Sequence, residues 1–366
     1  MKFLCQREAL LSACQLAAAA ASMRDVKPIL RNLKLSVGSG SCDVQASDME
    51  LGIRVRVDGI QVDSPGELIL QTATVIPILR ESDDEELTIE ADPGGVTIRG
   101  ANTEFETPAE DPATFPNIPA FDGDAYSEIA PETLRGLIRR SLIAVASTES
   151  SRFGATTGVL WELDPNVVLV ATDGRRLSRV VGDAQAFGGH TLKSQAVVPA
   201  KAMSLLERSL GNEPVKVRFS PNDVLFQSGK VTLFSRLVEG RFPNYQNVVP
   251  KGFPAVAELT AGPFMAAIRQ AAIMTNDESK RVVFRFQNGG LTLSAGAANS
   301  GKSNVRLALA VQHAVDISFD PKFVLDWLKT QDKEAAITME AKTGKDPAVF
   351  RSGAGCLYVV VPMMEG

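Results

Sequence analysis

The chain of 366 residues has few of the residue types that build metal sites and catalytic triads. It contains two histidines, His190 and His313, and four cysteines, and no two cysteines form a Cys-x-x-Cys pair. A structural zinc site needs four such ligands at short spacing. A serine hydrolase triad needs a histidine and commonly a Gly-x-Ser-x-Gly turn, which is missing here. The composition therefore predicts no metal, no cofactor and no triad.

Aromatic residues make up 6% of the chain, with two Trp and three Tyr. This scarcity argues against a protein that binds single strands by stacking bases on aromatic rings. The formal net charge of −5 also argues against a protein that coats nucleic acid by bulk charge. A local basic surface that meets DNA remains compatible with this charge.

No uninterrupted apolar run of about 18 residues occurs, so no membrane partner is predicted. The N-terminal segment to Ala21 is alanine-rich, but Arg7 and Glu8 interrupt it in a way that does not fit a secretory signal. Helical spacing of Leu10, Cys14 and Ala17 instead predicts an amphipathic helix from Arg7 to Ala21. The protein is therefore expected in the cytoplasm, with its cysteines reduced and buried.

Two landmarks of the sequence recur at nearly the same spacing. Ala46-Ser47-Asp48 returns as Ala171-Thr172-Asp173, 125 residues later, and Phe115-Pro116-Asn117 returns as Phe242-Pro243-Asn244, 127 residues later. Such periodicity indicates repeated structural units. Helix patterns follow the same period, and they open near residues 7, 72, 131, 199, 262 and 320.

The segments between the helix patterns alternate apolar and polar residues, as in Ile53–Val57 and Val215–Phe219. Alternation of this kind is typical of antiparallel sheets with one buried face. The predicted fold class is α+β, with three repeated domains, each an antiparallel sheet carrying two helices. The predicted boundaries are 1–125, 126–254 and 255–366.

One segment matches a nucleotide-binding motif. Gly296–Ser303 reads GxxxxGK[ST], which makes a P-loop ATPase the alternative function. A P-loop needs a helix directly after the motif, because the helix N-terminus holds the phosphates. Residues 305–311 alternate like a strand, so we predict a hairpin and disfavour the ATPase.

Several motifs together resemble a known family. They are Pro28–Leu33, Ser47–Leu51, Ala171–Leu177, Leu237–Tyr245 and Tyr358–Met363. The sequence is similar in these stretches to the bacterial DNA polymerase III beta subunit, the sliding clamp. Their order and spread cover the whole chain.

The resemblance implies a DNA-clamp fold and a ring-shaped, head-to-tail homodimer that encircles double-stranded DNA and slides on it. It implies no catalysed reaction. The implied partners are the DNA polymerase III alpha subunit, the clamp loader, and other polymerases and repair proteins that carry clamp-binding motifs. A repeat-domain module that stays monomeric is a further alternative.

The resemblance also implies a hydrophobic cleft for short linear peptides between the second and third domains. Its residues are Thr172, Gly174, Arg175, Arg176, Leu177, Pro243, Val248, Phe323, Val359, Val360, Val361, Pro362 and Met363. Two positions depart from the family pattern: Arg175 stands where relatives often have His or Tyr, and Met364 stands where a basic residue usually follows. Both are expected at the rim of the cleft.

Two further surfaces are expected from the same resemblance. Basic residues on the helix patterns would face DNA, with Arg24 and Lys201 first, followed by Arg80, Arg135, Arg139, Arg208 and Arg269. The seam of the dimer would bring Ile76, Leu79 and Phe105 of one chain against Ile273 and Met274 of the other. Pairing of edge strands across the seam would remove exposed sheet edges.

Overall fold

The computed structural model describes residues 1–22, 27–147, 154–192, 195–276, 280–297 and 301–364. The chain divides into two compact units. The first unit contains Met1–Glu132, Gln185–Thr191 and Lys201–Leu237, and the second unit contains Thr133–Ala184, Leu192–Ala200 and Val238–Gly366. Each unit draws on more than one of the three predicted domains, whose boundaries stay a prediction.

Within the described residues the chain forms six α-helices and 26 strands. The first third contains β1 (Lys2–Gln6), α1 (Arg7–Ala18), β2 (Asn32–Gly38), β3 (Ser41–Ser47), β4 (Leu51–Asp58), β5 (Gln61–Ser64), β6 (Gly66–Gln71), α2 (Thr72–Glu81), β7 (Glu86–Asp92), β8 (Gly95–Arg99) and β9 (Glu104–Thr107). The middle third contains β10 (Tyr126–Ile129), α3 (Pro131–Leu142), β11 (Gly158–Leu163), β12 (Val167–Thr172), β13 (Arg176–Gly182), β14 (Gln185–Phe187), β15 (Ala196–Pro199), α4 (Ala200–Ser209), β16 (Val215–Phe219), β17 (Asp223–Ser228) and β18 (Val231–Arg236). The last third contains β19 (Ala255–Thr260), α5 (Ala261–Ala272), β20 (Val282–Gln287), β21 (Gly290–Ala297), β22 (Gly301–Leu307), β23 (Val315–Phe319), α6 (Pro321–Leu328), β24 (Ala336–Glu340), β25 (Ala348–Ser352) and β26 (Cys356–Val360).

The first unit contains a five-stranded sheet in the order β5-β1-β7-β8-β9 and a nine-stranded sheet in the order β14-β10-β16-β17-β18-β4-β3-β2-β6. The long sheet is continuous because β18 pairs antiparallel with β4, placing Leu233 opposite Ile53. Strands from the first and middle thirds of the chain therefore share one sheet.

The second unit repeats this arrangement. Its eight-stranded sheet has the order β15-β11-β12-β13-β26-β25-β24-β19, and its four-stranded sheet has the order β22-β21-β20-β23. Here β13 pairs antiparallel with β26, which joins the middle third to the end of the chain. The antiparallel α+β class predicted from alternation is confirmed.

The helices bury one face each, as their spacing predicts. Helix α1 buries Leu10, Ala13, Cys14 and Ala17. It ends at Ala18 and not at Ala21, because the amides of Ala19 and Ala20 bond the carbonyls of Leu16 and Ala17 three residues back. Such bonds tighten the last turn of a helix into 3-10 geometry.

All four cysteines are free and buried. Burial, with a smaller effect from the charge of Glu86, raises the pKa of Cys5 to about 12. A thiol with such a pKa stays protonated near neutral pH, so it behaves as a small apolar side chain. The prediction that the cysteines are packed into the core is confirmed.

His190 hydrogen-bonds to two neighbouring strands, β10 and β16, near one edge of the nine-stranded sheet. The backbone amide of Phe219 on β16 donates to His190 Nε2 at 3.3 Å. Nε2 therefore carries no proton, and Nδ1 donates to Ser127 Oγ on β10 at 2.8 Å. The neutral imidazole is thus built into the junction beside the edge strand β14.

We expect the β10–β14 edge to lose stability in mild acid. Burial, assisted by the charge of Arg218, lowers the pKa of His190. The unfolded chain, whose histidine pKa is about 6.5, then binds the proton more tightly than the folded chain. The stabilisation is complete above about pH 6.5 and is lost as the pH falls through the folded pKa.

Hydrogen-exchange protection of the β10 and β14 amides at pH 7.5 and 5.5, corrected for intrinsic exchange, measures this effect. His190→Gln should remove the pH dependence. His313→Gln is the control, because the other histidine lies in the second unit, where its Nε2 faces the carbonyl of Lys342. Equal loss of protection in wild type and His190→Gln would contradict the assignment.

Candidate functional site

A side-chain-capped turn connects β12 to β13 at the start of the predicted cleft. Asp173 Oδ1 accepts from the backbone amides of Arg175 at 2.9 Å and Arg176 at 3.0 Å. Thr172 Oγ1 donates to the carbonyl of Arg176 at 2.7 Å. Gly174 has φ +84°, a left-handed conformation that glycine adopts without a Cβ clash. The Ala-Thr-Asp-Gly motif is therefore a turn motif with a local physical cause.

The earlier copy of this motif forms the same turn in the first unit. Asp48 Oδ1 accepts from the amides of Glu50 at 3.1 Å and Leu51 at 2.7 Å. Met49 occupies the left-handed position, with φ 75°. The sequence repeat thus marks two equivalent turns, with a glycine in the left-handed position of one and a methionine in that of the other.

The β13–β26 ladder distributes the predicted cleft residues over two faces of the sheet. Leu177 lies opposite Val359, and Arg176 lies opposite Val360. The amide of Val361 donates to the carbonyl of Arg175 at 2.9 Å, which extends the ladder by one pair. Since successive side chains on a strand alternate between faces, Arg175, Leu177, Val359 and Val361 share one face, and Arg176 and Val360 share the other.

The first of these faces is apolar. Leu177 and Val359 belong to a buried cluster with Phe242 and Tyr245, against which Val249 packs. Beside this cluster, Val361 is 43% exposed and Val248 is 53% exposed. The Phe-Pro-Asn-Tyr landmark therefore supplies two residues of this core, and Val248, three residues after it, adds accessible surface beside it.

The other face is covered by α6. Arg176 Nε pairs with Asp173 Oδ2 at 2.9 Å, and its Nη1 pairs with Asp326 Oδ2 at 3.0 Å. Its guanidinium carbon lies 4.6 Å from the centre of the Phe323 ring. Burial opposes protonation of Arg176, but its hydrogen bonds to Asp326 and Tyr358 and the charge of Asp173 outweigh it and raise its pKa. Arg176 is thus a neutralised structural cation.

Tyr358 completes the packing of that face. Its hydroxyl donates to the carbonyl of Phe323 at 2.9 Å, and its ring stacks on Trp327 with centroids 5.7 Å apart. Burial raises the pKa of Tyr358, so its hydroxyl keeps its proton for this bond. The terminal segment is fixed further on by the amide of Met363, which donates to the carbonyl of Ser318 at 2.8 Å.

The predicted cleft residues all lie in the second unit, but they differ in how far their side chains are exposed to solvent. Val360 is fully buried, and Leu177 and Val359 are at most 3% exposed. Val360 therefore offers no surface to a ligand, which corrects its assignment to the cleft lining. The accessible surface contains Gly174, Arg175, Val248, Val361 and Met364, with Thr172, Pro243, Phe323 and Met363 half-buried and Pro362 buried.

The predicted DNA-facing residues that the structure describes lie on helices, and most of them are exposed. Arg80, Arg139, Lys201, Arg208 and Arg269 are exposed, Arg135 is half-buried, and Arg24 lies outside the described residues. Lys201 Nζ also pairs with Asp48 Oδ2 at 2.5 Å. The carboxylate of Asp48, in the turn that repeats the Asp173 turn, thus partly neutralises the charge of Lys201. The sequence alone gave no sign of this contact.

The six helices are more basic than the chain as a whole. Among described helix residues, the exposed charged side chains are the basic Arg80, Arg139, Lys201, Arg208, Arg269 and Lys322 and the acidic Glu8, Glu81 and Glu132. The whole chain has 38 basic and 43 acidic residues. Positive charge is therefore concentrated on the helical surfaces.

The predicted seam residues fall into accessible and inaccessible groups. Ile273 is 72% exposed and Phe105 is 38% exposed, whereas Ile76 and Met274 are half-buried. Leu79 is fully buried in its own unit, so it cannot face a partner chain, and its assignment to the seam was wrong. A helical position next to exposed residues does not by itself predict exposure.

Two edge strands carry opposite charge. On β9, the edge of the five-stranded sheet, Glu104 and Glu106 are exposed on one face. On β22, the edge of the four-stranded sheet, Lys302 and Arg306 are exposed on one face. The sequence analysis did not single out these four residues as a pair of charged edges. Glu104 and Glu106 are two residues apart and Lys302 and Arg306 are four apart, and on a strand both spacings place side chains on the same face.

The segment that matches a P-loop is a hairpin. β21 pairs antiparallel with β22, and Lys302 lies opposite Gly296. Ser303 donates to the carbonyl of Ala271, and strand residues follow it to Leu307. The helix N-terminus that a P-loop requires does not follow this motif, so the predicted hairpin is confirmed.

No group of three His, Cys, Asp or Glu side chains within the described ranges could hold a metal ion. In a separate search over the same residues, no helix proved long and apolar enough to cross a membrane.

Solved structures share this fold along the full chain. The DNA polymerase sliding clamp of Bacillus subtilis matches with a TM-score of 0.93 at 22% identity, covering 100% of both chains. The sliding clamp of Pseudomonas aeruginosa bound to griselimycin matches with a TM-score of 0.91 at 24% identity, also over 100% of both chains.

Sequence comparisons agree. The beta sliding clamp of Escherichia coli K12 is 27% identical over 99% of this chain and 100% of its own length. Models of the N-terminal, central and C-terminal domains of the DNA polymerase III beta subunit match residues 1–119, 128–244 and 246–364. With three domain models of one family matched in order over nearly the whole chain, the chain belongs to the DNA polymerase III beta subunit family.

Proposed function

We propose that this protein is a DNA sliding clamp. Two chains associate head to tail into a ring that encircles duplex DNA, slides on it and tethers the replicative polymerase in the cytoplasm, at the nucleoid, without catalysing a reaction. Each chain contributes three clamp domains, 1–125, 126–254 and 255–366. The observation that carries the proposal is the ordered match of all three family models.

The concentration of positive charge on the helices supports this function. Contacts between such cations and phosphates are independent of base sequence and weaken with salt. A ring that slides needs attraction of this kind without readout of the bases. Lys201 contributes less than its exposure indicates, because Asp48 already pairs with it.

Retention on DNA tests the proposal directly. After treatment with clamp loader and ATP, the protein should stay on a nicked circle in high salt and leave the same DNA rapidly once it is linearised. The reason is that a closed ring is held by topology, which salt does not screen. Gel filtration of labelled protein on both DNA forms measures the difference.

Equal retention on both forms, abolished by salt, would mean ordinary electrostatic binding and would overturn the clamp function. Blocking both ends of the linear DNA with a bound protein is the control, since it should restore retention of a sliding ring.

The opposite charges of β9 and β22 support a head-to-tail dimer. Phe105 lies opposite the buried Ile98, so Glu104 and Glu106 occupy the outer face of β9. Val305 lies opposite the buried Leu293, so Lys302 and Arg306 occupy the outer face of β22. Antiparallel pairing of these edges between chains would place acidic residues against basic ones on the outer face and Phe105 on the inner face.

A charge exchange tests this seam. Glu104→Lys with Glu106→Lys should weaken the homodimer, and Lys302→Glu with Arg306→Glu should do the same, because like charges across an interface cost several kcal/mol. Combining all four substitutions should restore dimerisation. Sedimentation velocity at equal concentration and about 0.1 M salt measures the association.

Asp332→Lys with Glu334→Lys is the matched control, since both residues are exposed and lie outside the proposed seam. If the fourfold variant stays monomeric while it remains folded, these strands do not pair as proposed.

The second unit supplies a surface for docking peptides. Of the six exposed large apolar side chains among described residues, Val248, Val361 and Met364 lie at the predicted cleft. An accessible apolar surface of this kind suits extended peptides with apolar and aromatic residues. The proposed partners are the DNA polymerase III alpha subunit, the clamp loader, and other polymerases and repair proteins.

Val361→Glu should weaken binding of such a peptide by about tenfold or more, because a charge then replaces an apolar contact at the centre of the site. Fluorescence anisotropy of a labelled peptide with Leu and Phe anchors measures the affinity. Met49→Glu changes an exposed apolar residue outside the cleft and should leave the affinity unchanged. Equal effects of both variants would contradict the location.

A further inference from the structure

Two adjacent arginines at the cleft have different environments. Arg176 has two carboxylate partners and an aromatic ring beside it. Arg175 is exposed, and no carboxylate in the described parts of the chain pairs with it. Its backbone is held firmly, because its amide bonds Asp173 and its carbonyl accepts from Val361. A fixed backbone thus presents an unneutralised cation.

In the equivalent turn of the first unit, the charged residue at the position of Arg175 is neutralised by an ion pair. Glu50 occupies the position of Arg175, and Arg236 occupies the position of Val361. The amide of Arg236 donates to the carbonyl of Glu50 at 2.8 Å, which matches the 2.9 Å bond between Val361 and Arg175. There the two side chains pair with each other, with Arg236 Nη1 and Glu50 Oε1 3.8 Å apart.

The second unit replaces both members of that pair. An arginine stands in place of the acid and a valine in place of the arginine, so no internal ion pair forms. Arg175 and Val361 lie opposite each other at the end of the β13–β26 ladder, and opposite residues present their side chains on the same face. A cation and an exposed apolar side chain therefore lie side by side, next to the buried Leu177 and Val359.

We propose that Arg175 is a specificity-determining residue of the docking cleft, and that it pairs with an acidic side chain of the docking peptide adjacent to the apolar residue that packs on Val361. This inference rests on the proposed function of the cleft. The occupant is an extended peptide with apolar anchors and at least one carboxylate. Charge complementarity selects it over neutral or basic peptides of the same shape.

The experiment uses the full chain and fluorescein-labelled peptides with fixed Leu and Phe anchors. One uncharged peptide has Ser at all other positions, and further peptides replace each Ser in turn by Asp, Asn or Lys. For wild type, Asp at one position should tighten binding about 2- to 5-fold over Asn, the range of an exposed ion pair. Lys at that position should weaken it.

Arg175→Gln should bind the Asp and Asn peptides equally, and Arg175→Glu should prefer the Lys peptide. The gain from Asp in wild type should shrink at about 1 M salt, because exposed charges are then screened. Lys333→Gln is the matched control: it removes one exposed positive charge from the same unit, outside the cleft, and should keep the preference of wild type.

The outcomes separate the two proposals. If no peptide binds wild type, including the uncharged one, the docking cleft itself fails and the role of Arg175 fails with it. If the uncharged peptide binds but Asp gives no gain at any position, or if the gain persists in Arg175→Gln, the cleft stands and the role of Arg175 is overturned.

Discussion

The pairing of β13 with β26 is the constraint on which the second unit depends. It places Arg176 opposite Val360 and Leu177 opposite Val359, residues more than 180 positions apart in the chain. One ladder sets the register, and the alternation of strand side chains then assigns each residue to a face. The apolar cluster with Tyr245, the packing of α6 and the position of the terminal Pro-Met segment all follow from this register.

The two turns built on Asp48 and Asp173 show how one backbone design serves two electrostatic purposes. In each, an aspartate holds the same two amides, so the flanking side chains can change without loss of the turn. The first copy neutralises its neighbours internally through Lys201 and Arg236. The second copy neutralises Arg176 but leaves Arg175 exposed to solvent. The two turns share a backbone, and they differ in whether the residues beside the aspartate form an internal ion pair, as Glu50 and Arg236 do, or leave a cation exposed, as Arg175 and Val361 do.

Much of the fold was predictable because it depends on local signals. Periodicity of two and of 3.6 located strands and six helices, and the recurring Asp and Phe-Pro-Asn landmarks indicated the repeat. The hairpin in place of a P-loop followed from alternation after Ser303. The end of α1 was missed because an alanine run carries no stop signal and only the backbone bonds of Ala19 and Ala20 reveal it.

The candidate surfaces were less predictable, because the exposure of a side chain depends on which distant residues pack against it in the folded chain. Val360 and Val361 are neighbours of the same type, yet the first is fully buried and the second is 43% exposed. Leu79 and Ile76 share a helix and likewise differ in access. Ion pairs such as Arg176–Asp326 and Lys201–Asp48 join residues about 150 positions apart, and no spacing rule finds them.

The β13–β26 ladder also has a consequence for biosynthesis. Strand β13 leaves the ribosome long before β26, so a nascent chain exposes one edge of the eight-stranded sheet while nearly half of the protein is still being made. During that interval the edge of β13 that will pair with β26 has no neighbouring strand. The proposed docking surface stays incomplete until Val361 has been synthesised and its amide has bonded to the carbonyl of Arg175.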